Sequence, residues 1–315
     1  MMKLTETYTS LTQTHIKFDI YQPNVILRYK GIIQLHHGLC EHSDRYQKFA
    51  EYLSHEGFIV VVPDFPGHGT SLYHFEQGYF GSGNALDTLI EDMQRLRHII
   101  AKRYEDLPYF MIGVDFGSLV LLKYAMTYGD YINGMIMLGT CMKNNFYYRM
   151  KTIVDLNILL HGQMNRSRVI KKAVDLFLQK NLNGCYKMSN QKEVQLYQED
   201  PLSDFVYTNQ AYHDILEYIK YVSDEDHLKH IPDYLPVYLL SGGFDNLTKN
   251  GKDTIKLYQI LKGNGLKDLQ YKIYDNKRQD ILHDNNYRDV YHDIMHWLDE
   301  RTYVPSDLSD SLKSF

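Results

Sequence analysis

Cysteine is scarce in these 315 residues. Cys40, Cys141 and Cys185 are an odd number without metal-ligand spacing, so a reduced, cytoplasmic setting is expected, with no metal site. No apolar run approaches the roughly 18 residues that cross a membrane, so no spanning segment is expected. The N-terminus, Met1-Met2-Lys3-Leu4-Thr5-Glu6, lacks the apolar core of a secretory signal. Positive charge is in deficit, at a formal net −5, which argues against a nucleic-acid partner. There is no internal repeat and no low-complexity tract.

What is present describes a globular chain. Hydrophobic residues make up 44% and charged residues 23%, an ordinary soluble balance, and the length suits one large α/β domain or a core with an insertion. The 28 tyrosines either reflect codon bias, the plainer reading, or line an amphipathic pocket. Residues 15–21 alternate apolar and polar and read as an edge strand. Gly31–His36 reads as a more buried strand, and Phe58-Ile59-Val60-Val61-Val62 as one covered on both faces. A helix between them places Phe49, Tyr52 and Leu53 on one side. Asn84 caps a helix in which Leu86, Leu89, Ile90, Met93, Leu96, Ile99 and Ile100 keep a 3.6-residue period. Further strands are expected at 109–112, 134–138, 236–240 and 269–274. A closing helix presents Tyr287, Val290, Tyr291, Ile294, Trp297 and Leu298, and the polar tail from Pro305 is expected to fray.

Strands alternating with helices indicate a mostly parallel central sheet with helices on both faces. The rhythm breaks after Cys141. From there to Asp226 the pattern is helical, with Val169, Ala173, Val174, Phe177 and Leu178 as one apolar face. The expected organisation is therefore a core of residues 1–140 and 227–315 with a helical cap, 141–226, inserted into it.

Ile112-Gly113-Val114-Asp115-Phe116-Gly117-Ser118 carries the chemistry. It joins an apolar strand to an apolar helix, Leu119 to Met126, through Gly-x-x-x-Gly. That is the pattern of a nucleophile elbow, in which two glycines let the backbone turn sharply enough to push the middle side chain out above the sheet. A serine is expected there, and the residue is Asp115.

Three further stretches accompany the elbow: His37-Gly38-Leu39-Cys40-Glu41-His42-Ser43-Asp44-Arg45-Tyr46, Asp64-Phe65-Pro66-Gly67-His68-Gly69-Thr70-Ser71, and the run from Leu240 to Trp297. With them the chain resembles the α/β-hydrolase fold, in the branch of monoacylglycerol lipases and lysophospholipases. The resemblance covers residues 15–145 and 228–300; the cap matches only in position and helical character. It implies a nucleophile position at Asp115, an acid at Asp245 and a histidine position at Gln279, within Tyr274-Asp275-Asn276-Lys277-Arg278-Gln279-Asp280. It also implies an oxyanion hole from the backbone N–H groups of Leu39 and Phe116, no cofactor, and a small apolar or acyl-type ligand.

Acyl transfer needs a hydroxyl whose proton is taken by an imidazole, which a carboxylate in turn orients. An amide at Gln279 cannot carry that proton near neutral pH, and a carboxylate at Asp115 is a poor nucleophile towards esters. The expectation is a degenerate hydrolase without ordinary serine-esterase turnover. The alternative is an active hydrolase of carboxylic-ester, epoxide or haloalkane type, with Asp115 as nucleophile and His283 as base. His283 would lie one helical turn beyond Gln279 if the last helix starts early. His42, Arg45 and His68 read as structural, and Cys40 as a substitute nucleophile lacks a base. Two carboxyls flanking a neutral Gln279 should raise one pKa, Asp245 before Asp115, or recruit a cation such as Lys277, Arg278, an amine or a metal.

Overall fold

The strand–helix alternation appears in a computed structural model that describes residues 1–24, 28–72, 76–179, 182 and 184–302. Among the described residues one sheet contains β1 (Met2–Thr9), β2 (His15–Gln22), β3 (Gly31–His36), β4 (Phe58–Pro63), β5 (Tyr109–Val114), β6 (Gly134–Leu138), β7 (Val237–Gly242) and β8 (Leu269–Tyr274). Their order is β1-β2-β4-β3-β5-β6-β7-β8. The pairs from β4 to β8 are parallel, and β1 and β2 are antiparallel to their neighbours. Strands β3 to β7 are buried at every position, as uninterrupted apolar runs inside a parallel sheet require.

The helices are α1 (Gln47–His55), α2 (Ala85–Arg103), α3 (Phe116–Tyr128), α4 (Asn145–His161), α5 (Arg168–Leu178), α6 (Gln191–Glu199), α7 (Asn209–Val222), α8 (Glu225–Leu228), α9 (Lys252–Gly263) and α10 (Tyr287–Thr302). One core packs α2, α3, α7 and α9 on one face of the sheet; the other packs α1 and α10, with Trp297 buried against Phe110 and Tyr238. The Asn84 cap accepts from Leu86 N–H, and the period that follows it buries Leu89, Ile90, Met93, Leu96 and Ile100.

Two readings change, and one helix appears that was not expected. The strand at 15–22 is not the edge, because β1 pairs along its whole length, from Met2 opposite Gln22 to Thr9 opposite His15. The polar residues of β1 face solvent on an edge strand and leave little hydrophobic signal. The apolar face of α5 is also rotated: Ile170 is fully buried and Val169 is exposed. Helix α9, absent from the expected elements, buries Leu257 and Leu261 beside the polar Asp253 and Thr254, which leaves little apolar signal. Between β6 and β7 the regular elements among the described residues are all helices, and α4, α5 and α7 share a small core of Tyr147, Met150, Val154, Ile170 and Leu216. The tail from Pro305 lies outside the described residues.

The elbow shows why its glycines are needed. A Cβ at Gly113 would sit 2.5 Å from Gly117 O, and one at Gly117 would sit 2.5 Å from His36 O and 2.7 Å from His37 O. These neighbours are backbone atoms and cannot swing aside. Gly113→Ala or Gly117→Ala should therefore cost about 2–4 kcal/mol in urea unfolding. Gly263→Ala, at the end of α9 with open space around it, should stabilise by up to about 1 kcal/mol. Equal effects at the three positions would contradict this account of the elbow.

Candidate active site

Asp115 stands at the turn from β5 into α3 with φ 50° and ψ −114°, a strained backbone for any residue but glycine. The turn is fixed by Asp115 N–H donating to Leu138 O at 2.8 Å, and by Ser118 N–H and Oγ–H donating to Asp115 O at 3.0 and 2.6 Å. The side chain is thereby raised above the carboxyl ends of the strands. Opposite it runs the loop after β3. Gly38 N–H donates to Glu41 Oε1 at 2.6 Å, and Cys40, at φ 54°, donates its N–H to Tyr207 Oη at 2.9 Å. Between them, Leu39 N–H points at the elbow and donates to Asp115 Oδ2 at 3.2 Å. The elbow carboxylate therefore occupies one of the two donors expected to form an oxyanion hole. Phe116, source of the other, begins α3 and is fully buried.

The three distant positions Asp115, Asp245 and Gln279 meet here. Asp115 and Gln279 line the same cavity, and a Cβ at Gly139 would lie 3.7 Å from Asp245 Oδ2 and 3.9 Å from Gln279 O. Asp245 follows β7 and accepts from Leu247 N–H and Thr248 Oγ1–H, both at 2.9 Å. Gln279 follows β8, and its buried Oε1 has no hydrogen-bond partner among the described residues. Burial raises the Asp115 carboxyl to about 6, against the opposing pull of Lys187 and Leu39 N–H. Burial raises Asp245 further, to about 7, with Asp115 adding to the effect.

The cation at the site is Lys187, which no motif marked. It lies between α5 and α6, buried, and its Nζ donates to Leu39 O at 3.1 Å and sits 4.0 Å from Glu41 Oε2. Its backbone is tied to the loop after β8, since Asp280 N–H donates to Lys187 O at 2.8 Å. Burial works against its charge, but Glu41, Asp115 and Asp280 outweigh burial and hold its pKa above the ordinary value. The two cations expected from sequence are engaged elsewhere. Lys277 Nζ donates to Asn285 O and Asn286 O, and Arg278 donates to Cys185 O.

His283 is also committed. The helix invoked to place it beside Gln279 begins only at Tyr287, and residues 279–286 form turns. Its Nδ1 lies 2.8 Å from Asp280 Oδ1, and its Nε2 is bonded to Arg45 O at 2.8 Å. Arg45 in turn pairs with Glu41 at 3.1 Å and Asp280 at 2.9 Å. His42 reaches Asp200 at 2.7 Å, and His68 spans Pro66 O and Tyr207 Oη. Burial pushes the Cys40 thiol up to about 12. No imidazole is among the described residues lining the cavity.

The cavity, of about 110 Å³, runs from Asp115, Lys187 and Gln279 into an apolar end lined by Phe146, Met150, Val154, Val174, Leu178 and Leu216. Chemically it offers a carboxyl, an ammonium and an amide at one end and a slot for hydrocarbon at the other.

The family described as serine aminopeptidase, S33, matches residues 28–286. A monoglyceride lipase of Rattus norvegicus is 23% identical over 279 residues, 87% of this chain and 84% of that protein. A monoacylglycerol lipase of Mycolicibacterium smegmatis is 28% identical over 124 residues, spanning 39% of this chain and only 42% of the relative. The structure of a carboxyl esterase from Bacillus coagulans in complex with glycerol superposes with a TM-score of 0.87, at 23% identity, covering 96% of this chain and all of that one. The chain belongs to the serine aminopeptidase S33 family and has the α/β-hydrolase fold.

Proposed function

We propose that this protein is a degenerate member of its family, one that holds a small apolar or acyl-type ligand beneath a cap formed by residues 141–226 and does not turn over esters. In this reading Asp115 stands at the nucleophile position, Gln279 at the histidine position and Asp245 at the acid position. One observation carries it: the elbow carboxylate takes up the Leu39 N–H, and no imidazole lies among the described residues lining the cavity. A carbonyl entering the site would have to displace a resident anion from that donor. It would then meet a group whose charge is already spread over an N–H and a nearby ammonium. With no imidazole among the described residues lining the cavity, the elbow lacks the partner that would activate a hydroxyl or pass its proton to a leaving group. The relatives named for monoacylglycerol make single-chain glycerides and their fragments the first ligands to try.

Hydrolysis of a monoacylglycerol and of a p-nitrophenyl ester should stay at the buffer rate, with no labelling of the elbow by a fluorophosphonate. Asp115→Ser together with Gln279→His should restore hydrolysis at least about tenfold above the parent, because Asp245 is in place to orient the new imidazole. Each single change should do little, since a triad acts as a unit. Parent turnover on either ester would refute the reading.

The buried charge at Asp115 also has a signature in stability. A carboxyl whose pKa rises on folding, here to about 6, binds more protons folded than unfolded between pH 4 and 6, so its contribution falls as pH rises through that window. The neutral buried histidines His36, His37 and His68 act in the opposite sense, but equally in parent and variant. The stability of Asp115→Asn relative to the parent should therefore climb between pH 4 and 6 by about 3 kcal/mol and level off above. Urea unfolding across that range checks it; a flat difference would contradict a buried, unprotonated Asp115 at neutral pH.

A further inference from the structure

The polar end of the cavity holds acceptors in want of donors. Gln279 lines the cavity, is 7% exposed, and has no hydrogen-bond partner for its buried Oε1 among the described residues. A buried amide oxygen without a donor costs free energy that a donor on a ligand would recover. Asp115 lines the same cavity and takes one N–H, from Leu39 to Oδ2. A carboxylate has two oxygens and accepts several donors, so the elbow can take more.

Charge points the same way. The charged side chains lining the cavity, among the described residues, are Asp115, Asp175 and Asp204 against Lys171 and Lys187. Lys171 is taken up by Asp175 and Asp204, at 2.8 and 3.0 Å. Lys187 donates to Leu39 O and lies 4.0 Å from Glu41, so Asp115 shares it with a second carboxylate. Around Lys187, Glu41 and Asp280 are met by Arg45 and His283. The ring of His283 is an imidazolium, because its two nitrogens face Asp280 Oδ1 and Arg45 O and both must donate. Lys187, Arg45 and His283 thus balance Asp115, Glu41 and Asp280, and Asp245 is left over. It lies beside Gln279, and its carboxyl accepts from Leu247 N–H and Thr248 Oγ1–H with no cation paired to it among the described residues. The buried site is short of one positive charge.

We propose that the cavity takes a primary alkylammonium, its head on Asp115 and Gln279 and its tail in the slot of Phe146, Met150, Val154 and Leu178. The head brings three N–H donors to two open acceptors, and its charge supplies what Asp245 lacks. A fatty alcohol brings one donor and no charge. A fatty carboxylate brings a further anion to the elbow. This inference rests on the binding role proposed above and names the ligand class for it.

Isothermal titration of the full chain at pH 7 with octylamine, 1-octanol and octanoate, which share one tail, tests it. Octylamine should bind at least about tenfold tighter than octanol, the advantage of a charged donor, and octanoate should bind weakest. Asp115→Asn, which keeps the shape of the side chain, should bring octylamine to within about threefold of octanol. As a second readout, saturating octylamine should lower the Asp245 carboxyl midpoint from about 7, followed by carbon-13 NMR. The proposal is overturned if octylamine does not bind, or if octanol or octanoate binds as tightly. It is also overturned if Asp115→Asn keeps the preference for the amine, or if the Asp245 midpoint does not move. Ester hydrolysis by the parent would refute the binding role by itself, and these titrations are read without reference to it.

Discussion

The site is organised by one carboxylate that accepts from a backbone N–H and shares its cavity with a buried ammonium. Leu39 N–H donates to Asp115, and the charge of Lys187 on the same cavity also favours its anion. Burial alone drives a carboxyl towards its neutral form, and those two groups bring the pKa back to about 6. The loop geometry follows from the same need. Glu41 fastens Gly38 N–H and receives the Tyr46 hydroxyl, which leaves Leu39 N–H aimed at the elbow.

Lys187 also joins two parts of the chain. It comes from the helical stretch between β6 and β7, yet its side chain ends on the loop after β3 and its backbone on the loop after β8. Around it Glu41, Arg45, Asp280 and His283 form a buried network of alternating charge, with Arg45 over the ring of Tyr197 from α6. Removing one member would leave its partner buried and unpaired, which is far costlier than losing a surface pair. The same network draws His283 away from the elbow. Its hydrogen bonds go to Asp280 and Arg45.

Much of this arrangement is legible in the sequence because local rules govern it. Gly113 and Gly117 mark the elbow, the β-branched run at 58–62 marks a doubly covered strand, and Asn84 marks a helix start. What escapes is set by long-range packing. Strand β1 is polar because it is an edge, and such a strand resembles a tail. The rotation of α5 is ambiguous because its apolar residues outnumber those the protein buries. Lys187 meets Leu39 across 148 residues, and neither periodicity nor motif foretells such a contact. Helical spacing puts His283 beside Gln279, but that segment is a series of turns.

The central claim is that Asp115 is a resident anion balanced by Lys187. Carbon-13 NMR titration of the Asp115 carboxyl, in the parent and in Lys187→Met, tests it most directly. The account predicts a midpoint near 6 in the parent, moving upward when the ammonium is removed. A midpoint near 4, unchanged by Lys187→Met, would show a solvated carboxylate with no partner in Lys187 and would contradict the account.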